Sequence, residues 1–301
     1  MNQAKRPAPG NGPAGHLLRL CLSGRWDPSA LERAQALLRQ GHVSWDALHQ
    51  RARAERLAPQ LYNIVRQWDL VPPSVRHSLR RSLASNTAHN TLLFNELGNV
   101  LQQLATAGVQ VILIKGAALS LAVHRSDAVR VMADLDLLVP ADRVDRAHTA
   151  LASLSYSVSC LEPWPGHSRR YRNVLEYQRP LVDELPCKID LHWGLVDVPY
   201  YSRIPIGDWF ARAQPVQVAG VEALVPAAED HLICLCGQLA LHDRYDPALF
   251  RYYDMAALIR DEGDMLDWHG VVQRAVDWQL VIPLQRALAH LEALWPGTVP
   301  A

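Results

Sequence analysis

An Asp-x-Asp pair lies in a short apolar run from Asp134 to Val139. Side chains two positions apart in a β-strand point to the same face, so Asp134 and Asp136 project together while Leu135 and Leu137 face a core. Two adjacent carboxylates on a buried strand repel each other and lose hydration, which is costly. A divalent cation offsets that cost, and Mg²⁺ favours one or two carboxylates together with substrate phosphates. The pair therefore predicts a magnesium site.

A second acidic strand is predicted at residues 188–193. Alternation places Lys188, Asp190 and His192 on one face and apolar side chains on the other. If this strand lies beside the first, three carboxylates converge, and such a cluster can hold two metal ions about 4 Å apart across an in-line phosphoryl displacement. His192 would contact a metal, a phosphate or an acceptor, and a structural histidine is an equally open interpretation. The two strands together indicate chemistry at a phosphate group.

A Lys115-Gly116 pair ends the β-branched apolar run at 109–114, one predicted strand before the acidic pair. Glycine lets a backbone approach a phosphate closely, and the amides that open the next helix point toward an anion. Lys115 adds a positive charge. The chain uses arginine for almost all of its cations, so a lysine at this turn is a compositional indication in the same direction.

The three motifs carry a resemblance to a known family. It lies in three segments and one arginine: residues 114–119, 134–139, 189–193 and Arg130. They resemble an uncharacterised bacterial nucleotidyltransferase family of the polymerase-beta-like superfamily. The resemblance covers nearly the whole chain, from about residue 17 to residue 296.

The resemblance implies a role for each motif. Asp134 and Asp136 would be metal ligands, and Asp190 would be the third carboxylate, able to help deprotonate an acceptor hydroxyl. Gly116 would approach the triphosphate. The expected cofactor is Mg²⁺, as two ions, with Mn²⁺ as a substitute.

The sequence departs from the broader superfamily after Gly116. The superfamily usually has Gly or Ser at the next position, whereas Ala117 follows here and offers no hydroxyl group. The interval from Gly116 to Asp134 is also longer than usual. We hypothesise that Lys115 or Arg130 supplies the missing phosphate contact, so both are predicted to bind the nucleotide.

Hydrophobic periodicity predicts helices in the first and last thirds and strands between them. The fold class is therefore α+β: a polymerase-beta-like nucleotidyltransferase core with a small mixed sheet, flanked by N-terminal and C-terminal helical regions. We predict five segments: a disordered tail at 1–16, an N-terminal helical region at 17–107, the core at 108–205, a C-terminal helical bundle at 206–296 and a tail at 297–301. A hairpin near Ala219-Gly220 precedes the last helices.

The charge is balanced overall but not along the chain. In 301 residues, 30 Lys and Arg stand against 30 Asp and Glu, which disfavours a protein that coats long nucleic acid. The net charge is +7 over residues 1–100 and −6 over residues 201–301. An acidic surface formed by the last third would suit a cationic or polyhydroxylated acceptor. We interpret the basic side chains of the first third as a solvated helix surface: Arg51, Arg53, Arg56, Arg80 and Arg81.

The five cysteines are scattered, and the first residues lack the apolar stretch of a signal peptide or anchor. No window approaches the ~20 apolar residues of a membrane span. These features predict a cytoplasmic protein without a membrane partner.

The polar residues of the sequence allow several other interpretations. The three aspartates could be solvated acids at a strand edge, but their apolar neighbours argue against this. The haloacid-dehalogenase-like motif would have a small residue and Thr where Leu137-Leu138 follow. We interpret His231, Cys234 and Cys236 as core residues rather than a zinc site. Asp254 is interpreted as a helix–helix hydrogen-bonding residue. The loop His242-Asp243-Arg244 could line an acceptor pocket.

The motifs together predict an enzyme that transfers a nucleoside monophosphate from an NTP, with ATP favoured, to a hydroxyl group and releases pyrophosphate. The acceptor would be a small molecule or a protein side chain. The alternative is a nucleotide-binding or partner-binding protein that has kept the fold and lost turnover.

Overall fold

The computed structural model describes residues 12–126, 128–159, 164, 166–181, 186–195, 204–241 and 248–300. Its first part contains five helices: α1 (Pro13–Ser23), α2 (Pro28–Arg39), α3 (Trp45–Ala54), α4 (Ala58–Val65) and α5 (Pro73–Thr106). The predicted N-cap of α3 is confirmed, since Ser44 Oγ accepts a hydrogen bond from the Ala47 amide at 3.1 Å. Gly108 follows α5 with a φ of 69°, the left-handed conformation that commonly ends a helix.

The middle of the chain alternates short strands and helices. Its elements are β1 (Ile112–Ile114), α6 (Lys115–Ala118), β2 (Leu135–Leu138), α7 (Val144–Ser153), β3 (Ser157–Val158), α8 (His167–Tyr171), β4 (Val174–Pro180) and β5 (Pro186–His192). The β-branched and leucine-rich sequences of β1 and β2 suit strands buried on both faces.

The last part begins with a short helix and a hairpin and then becomes helical. Its elements are α9 (Ile206–Arg212), β6 (Gln214–Val218), β7 (Val221–Val225), α10 (Ala228–Leu241), α11 (Leu249–Glu262), α12 (Trp268–Asp277) and α13 (Val281–Leu294). No helix within the described ranges combines the length and apolar character needed to cross a membrane.

The described strands form one mixed sheet in the order β3-β4-β5-β2-β1-β7-β6. β2 is antiparallel to β1 and parallel to β5, so it lies at the centre between the two strands that carry the other predicted site residues. The parallel pairing of β7 with β1 brings the late hairpin into the same sheet. The sheet therefore extends beyond residue 205, where the predicted core ends.

Both faces of the sheet are covered. One face packs Leu113, Leu135 and Leu137 against α5 and α7, and the other packs Ile114 and Leu138 against the C-terminal helices. Alternation along β2 sends its leucines at 135 and 137 to the first core. Asp136 therefore lies on the face covered by the C-terminal helices.

The α5 helix connects the N-terminal helices to the sheet. Its 34 residues span about 51 Å at the usual helical rise. Asn86 Nδ2 donates to the carbonyls of Ala128 and Arg130 at 2.6 and 3.2 Å, and Asn90 Nδ2 donates to the Arg130 carbonyl at 2.8 Å. The helix thereby holds the loop that leads into β2.

The α+β fold class is confirmed, but the predicted tails need correction. Residues 13–16 belong to α1, where Pro13 occupies the start of the helix, and residues 1–11 lie outside the described ranges. At the other end, Thr298 is buried, and its amide donates to Glu292 while Arg260 donates to its hydroxyl. These bonds hold residues 297–299 against the end of α13. The division into domains stays a prediction.

Candidate active site

The strand register brings two of the predicted carboxylates together. In the parallel β2–β5 pair, Asp136 lies directly opposite Asp190, and on the other side of β2 it lies opposite Ile114, the last residue of β1. Asp136 is 3% exposed, whereas Asp190 is half-buried. Neighbouring residues in register share a face of the sheet, so the two carboxylates lie side by side.

An ammonium group and an imidazole both contact the Asp136 carboxylate. Lys115 Nζ lies 2.5 Å from Asp136 Oδ1, and His192 Nε2 lies 3.0 Å from the same oxygen. Asp136, Asp190 and His192 each offer a ligand atom within 4.8 Å of the other two. This set of two carboxylates and an imidazole could hold a divalent metal ion.

Asp134 lies just outside this set. It precedes β2, is half-buried, and is absent from the group of donor atoms within 4.8 Å of one another. Burial and the neighbouring Asp136 charge raise the pKa of Asp134. This electrostatic interaction places Asp134 in the same acidic region, but the third residue of the cluster with Asp136 and Asp190 is His192.

The two paired aspartates have opposite electrostatic environments. Burial alone would raise the pKa of Asp136, but Lys115 and the His192 hydrogen bond hold it below its ordinary value. Burial, followed by the charges of Asp136 and Asp134, raises the pKa of Asp190 to about 7. A site with one permanently ionised carboxylate and one that titrates near neutrality can combine charge stabilisation with proton transfer.

The donor set fits a hard divalent cation. Three carboxylates lie in a partly buried region and raise one another's cost of ionisation, so added positive charge would stabilise their ionised forms. Carboxylate oxygens are the preferred ligands of such cations. Within the described ranges, no second group of donors meets the same distance criterion.

The structure gives a packing reason for the glycine of the Lys115-Gly116 turn, in addition to the predicted approach to a phosphate. Lys115 adopts a φ of 50°, an uncommon conformation for a residue with a side chain. Gly116 is buried, and a Cβ atom there would lie 2.7 Å from Arg130 Nη1. Packing against Arg130 therefore explains the glycine, and its contact with a triphosphate stays a prediction.

Arg130 is held by an acidic residue of α11. Its Nε donates to Asp254 Oδ2 at 3.0 Å, and its guanidinium lies 5.7 Å from the centre of the Phe250 ring. His124 Nε2 lies 2.7 Å from the other Asp254 oxygen. The interpretation of Asp254 as a hydrogen-bonding residue is confirmed, but its partners lie in the loop before β2 rather than on another helix.

Replacing Asp254 with alanine is expected to lower the free energy of unfolding by about 3–5 kcal/mol, because it leaves a buried arginine charge unpaired. Urea denaturation at pH 7 measures the change. Asp69→Ala, at an exposed aspartate, is the control and should change stability by less than about 0.5 kcal/mol. A loss below about 1 kcal/mol in the Asp254 variant would contradict this account.

The remaining predicted residues do not join the cluster. Lys188 is exposed on β5, opposite Gln178. His231, Cys234 and Cys236 are buried in the core, as interpreted, and burial lowers the pKa of His231 to about 4. The loop at 242–244 lies outside the described ranges.

A cavity of about 320 Å³ adjoins the Asp190 side of the cluster. Its walls include Asp190 and His192 of β5, Glu176 of β4 and Gln238 of α10. Glu176 is opposite Asp190 in the β4–β5 register, a pairing that the sequence analysis missed. The even spacing of Val174, Glu176 and Gln178 was the available signal, but it could not identify the neighbouring strand.

The mixed-sheet α+β fold places paired carboxylates beside a Lys-Gly turn, a donor set suited to metal-assisted phosphate chemistry. The sequence model of a family described as uncharacterised nucleotidyltransferase matches residues 41–296. The chain belongs to this family and is a nucleotidyltransferase, as the sequence resemblance predicted. No protein of curated function matches it by sequence.

Distant likeness to solved structures is also found. The solution structure of the antibiotic-resistance factor ANT(2'')-Ia is 13% identical, with a TM-score of 0.43, over 69% of this chain and 97% of the other. The crystal structure of ANT(2'')-Ia with adenylyl-2''-tobramycin is 10% identical, with a TM-score of 0.43, over 62% and 96%. An antigenic nucleotidyltransferase-like protein from Paracoccidioides brasiliensis is 15% identical, with a TM-score of 0.42, over 68% and 89%.

Proposed function

We propose that this nucleotidyltransferase moves a nucleoside monophosphate from an NTP, with ATP the favoured donor, to a hydroxyl group of an acceptor and releases pyrophosphate. The observation that carries the proposal is the pairing of Asp136 with Asp190, with a His192 nitrogen within 4.8 Å of both. Acids at a solvated strand edge would not share a buried face in this way.

Asp190 acts as the general base. In the metal-free protein the pKa of Asp190 is raised to about 7, so this carboxylate accepts a proton more readily than an ordinary aspartate does. It accepts the proton of the acceptor hydroxyl as that oxygen attacks the α-phosphorus. A new oxygen–phosphorus bond forms, and the bond from the α-phosphorus to the pyrophosphate oxygen breaks.

Asp134, Asp136 and Asp190 would hold Mg²⁺, as two ions, with Mn²⁺ as a substitute. Bound Mg²⁺ stabilises charge on phosphate oxygens and favours ionisation of an attacking hydroxyl. Lys115 keeps Asp136 ionised, since its ammonium group lies 2.5 Å from that carboxylate. His192 Nε2 donates a hydrogen bond to the same oxygen and orients it.

The nucleotide lies against the Lys115-Gly116 turn. Lys115 contacts Asp136 and also lines the cavity beside Asp190, so it lies where the attacked α-phosphate would meet the acceptor. Arg130 contributes through its charge, which lowers the pKa of Asp134, while its guanidinium stays bonded to Asp254.

The acceptor occupies the cavity of about 320 Å³ beside Asp190, a volume within the range of small-molecule sites. Gln238 lines this cavity, and among the described residues its buried Oε1 atom has no hydrogen-bond partner. A hydroxyl donor on the acceptor would satisfy that oxygen. Glu176 is paired with Arg172, so the cavity suits a polyhydroxylated acceptor better than a cationic one.

The position of a radioactive label tests the reaction. The protein is incubated with Mg²⁺, candidate polyhydroxylated acceptors and ATP labelled at the α- or the γ-phosphate. Nucleotidyl transfer moves only the α-label to the acceptor and leaves the γ-label in pyrophosphate. Transfer of the γ-label would instead indicate a kinase, and ATP binding without transfer to any acceptor would favour the inactive binding protein.

Metal binding is expected to weaken about tenfold when the pH falls from 8 to 6, because a proton competes for a carboxylate with a pKa of about 7. The electron paramagnetic resonance signal of free Mn²⁺, measured without nucleotide, gives the affinity. Asp190→Asn should bind Mn²⁺ more weakly and with a smaller pH dependence. Equal affinity of the unaltered protein at both pH values would contradict the expectation.

A further inference from the structure

A second, larger cavity lies among the N-terminal helices. It measures about 570 Å³ and is formed by the end of α3, the start of α4 and the first half of α5. Arg53, Arg56 and Arg81 line it together with His89 and serine side chains of α5. We call it the arginine groove. None of the described residues that line it is acidic.

The three arginines lack carboxylate partners in the part of the chain that the structure describes. Arg53 and Arg81 are exposed, and Arg56 makes a cation–π contact with Phe250 at 5.7 Å. The nearest acid along the chain, Glu55, is engaged elsewhere: it pairs with Arg51 at 2.7 Å and accepts the Leu249 amide at 2.6 Å. Three unneutralised guanidinium groups around one concave surface create a positive potential there.

The groove borders the segment that leads into the acidic strand. Val131 and Met132 line it, and Asp134 follows two residues later. Met132 also packs on Gly116, since a Cβ atom there would lie 3.4 Å from Met132 Cγ. Arg56 is one of the cations that lower the pKa of Asp134 against the effects of burial and Asp136. The basic groove therefore lies near Asp134, whereas the polar cavity is lined by Asp190.

We propose that the arginine groove binds the phosphate groups of the substrate nucleotide, and that it separates the nucleotide from an acceptor held beside Asp190. The guanidinium fork matches the geometry of phosphate oxygens and forms paired, charge-assisted hydrogen bonds with them. Ser82 and Ser85 add hydroxyl donors on the same helix face. The assignment to the nucleotide rests on the proposed function, whereas the affinity of the groove for phosphate does not.

Calorimetric titration of the protein tests the groove after a chelating resin has removed divalent metals. Without metal, the carboxylates repel anions, so the arginines dominate binding of inorganic tripolyphosphate and ATP. The double variant Arg53→Gln/Arg81→Gln is expected to bind both ligands about 100-fold more weakly, roughly tenfold for each charge-assisted contact. Arg81→Lys, which keeps the charge and loses the fork, should weaken binding less.

Arg80→Gln is the matched control, because Arg80 is exposed on the same helix and does not line the groove. It should leave both affinities unchanged, and thermal melts should show that every variant is folded. Equal tripolyphosphate affinity in the double variant and the unaltered protein would overturn the proposal, as would an equal loss in Arg80→Gln or no binding by the unaltered protein.

The two ligands also separate the two sources of phosphate. If the double variant loses tripolyphosphate but retains ATP, the groove serves a phosphate on the acceptor, and the nucleotide assignment is wrong. If the α-label is never transferred in the activity assay, the proposed function fails on its own. Tripolyphosphate binding still decides the affinity of the groove in that case.

Discussion

Replacing Asp136 with asparagine is expected to lower the rate of nucleotidyl transfer by more than about 100-fold. Changes to residues that merely support metal ligands cost about 10- to 100-fold in affinity or activity, and Asp136 is itself a proposed ligand. It is also the group that Lys115 and His192 both contact, at 2.5 and 3.0 Å. An uncharged amide interacts more weakly than a carboxylate with Lys115, with His192 and with a metal cation.

Transfer of the α-label from ATP, measured per mole of folded protein, gives the rate for this variant. Asp142→Asn is the matched control, because Asp142 follows β2 in the same chain segment and its side chain is 73% exposed. It should retain full activity. Transfer that survives in the Asp136 variant within about tenfold of the original rate would exclude the carboxylate mechanism.

Replacing Asp190 with asparagine is expected to reduce transfer by about 10²- to 10⁴-fold, the contribution of a positioned general base. The same change should stabilise the metal-free protein at pH 8, with Tm rising by about 2–4 °C for each kcal/mol gained. Burial and the two neighbouring aspartates make ionisation of Asp190 unfavourable in the folded state. Removing the charge relieves that cost, so activity and stability change in opposite directions.

The pH dependence of Tm separates this explanation from a general packing effect. Because the folded-state pKa of Asp190 is raised, the folded protein binds the proton more tightly than the unfolded chain does between about pH 4 and pH 7. The contribution of Asp190 to the stability of the unaltered protein therefore falls as pH rises through this window and is constant above it. The advantage of asparagine should be absent at pH 4 and complete above pH 7. A pH-independent difference would contradict the electrostatic explanation.

The sequence was sufficient to predict which strand faces carry the acids, because side-chain direction in a strand depends only on a period of two. Asp190 and His192 do share a face, and the leucines of β2 do enter the core. Register between strands depends on contacts made in three dimensions. For that reason the prediction of three converging aspartates did not anticipate that His192, rather than Asp134, completes the close cluster.

Partners distant in sequence explain the other differences. Arg130 and Asp254 are 124 positions apart, so no local pattern could reveal that their side chains are bonded. The arginines of the first third illustrate the same limit. Arg53, Arg56 and Arg81 are exposed, as the interpretation of a solvated helix surface expected. The sequence could not show that the packing of α3 and α4 against α5 places them around one groove.

The helical segments were more predictable because capping and periodicity are local properties. Ser44 and Gly108 mark helix ends in the sequence and in the structure. The late hairpin was also recognisable, but its pairing with β1 was not, since sequence patterns do not identify the strand beside which a hairpin docks.

The length of α5 has a mechanical consequence. Proline occurs only at its first position, and its one glycine, Gly98, is packed so tightly that a Cβ atom would lie 2.7 Å from Ala219 Cβ in the β6–β7 turn. The helix therefore has no hinge between Arg81 at the groove and the part fastened to the sheet. The wall of the groove on α5 therefore keeps a constant distance from the part of the helix that holds the loop before β2. The helix itself offers no bend by which the site could close around substrates, so such a movement would involve other elements.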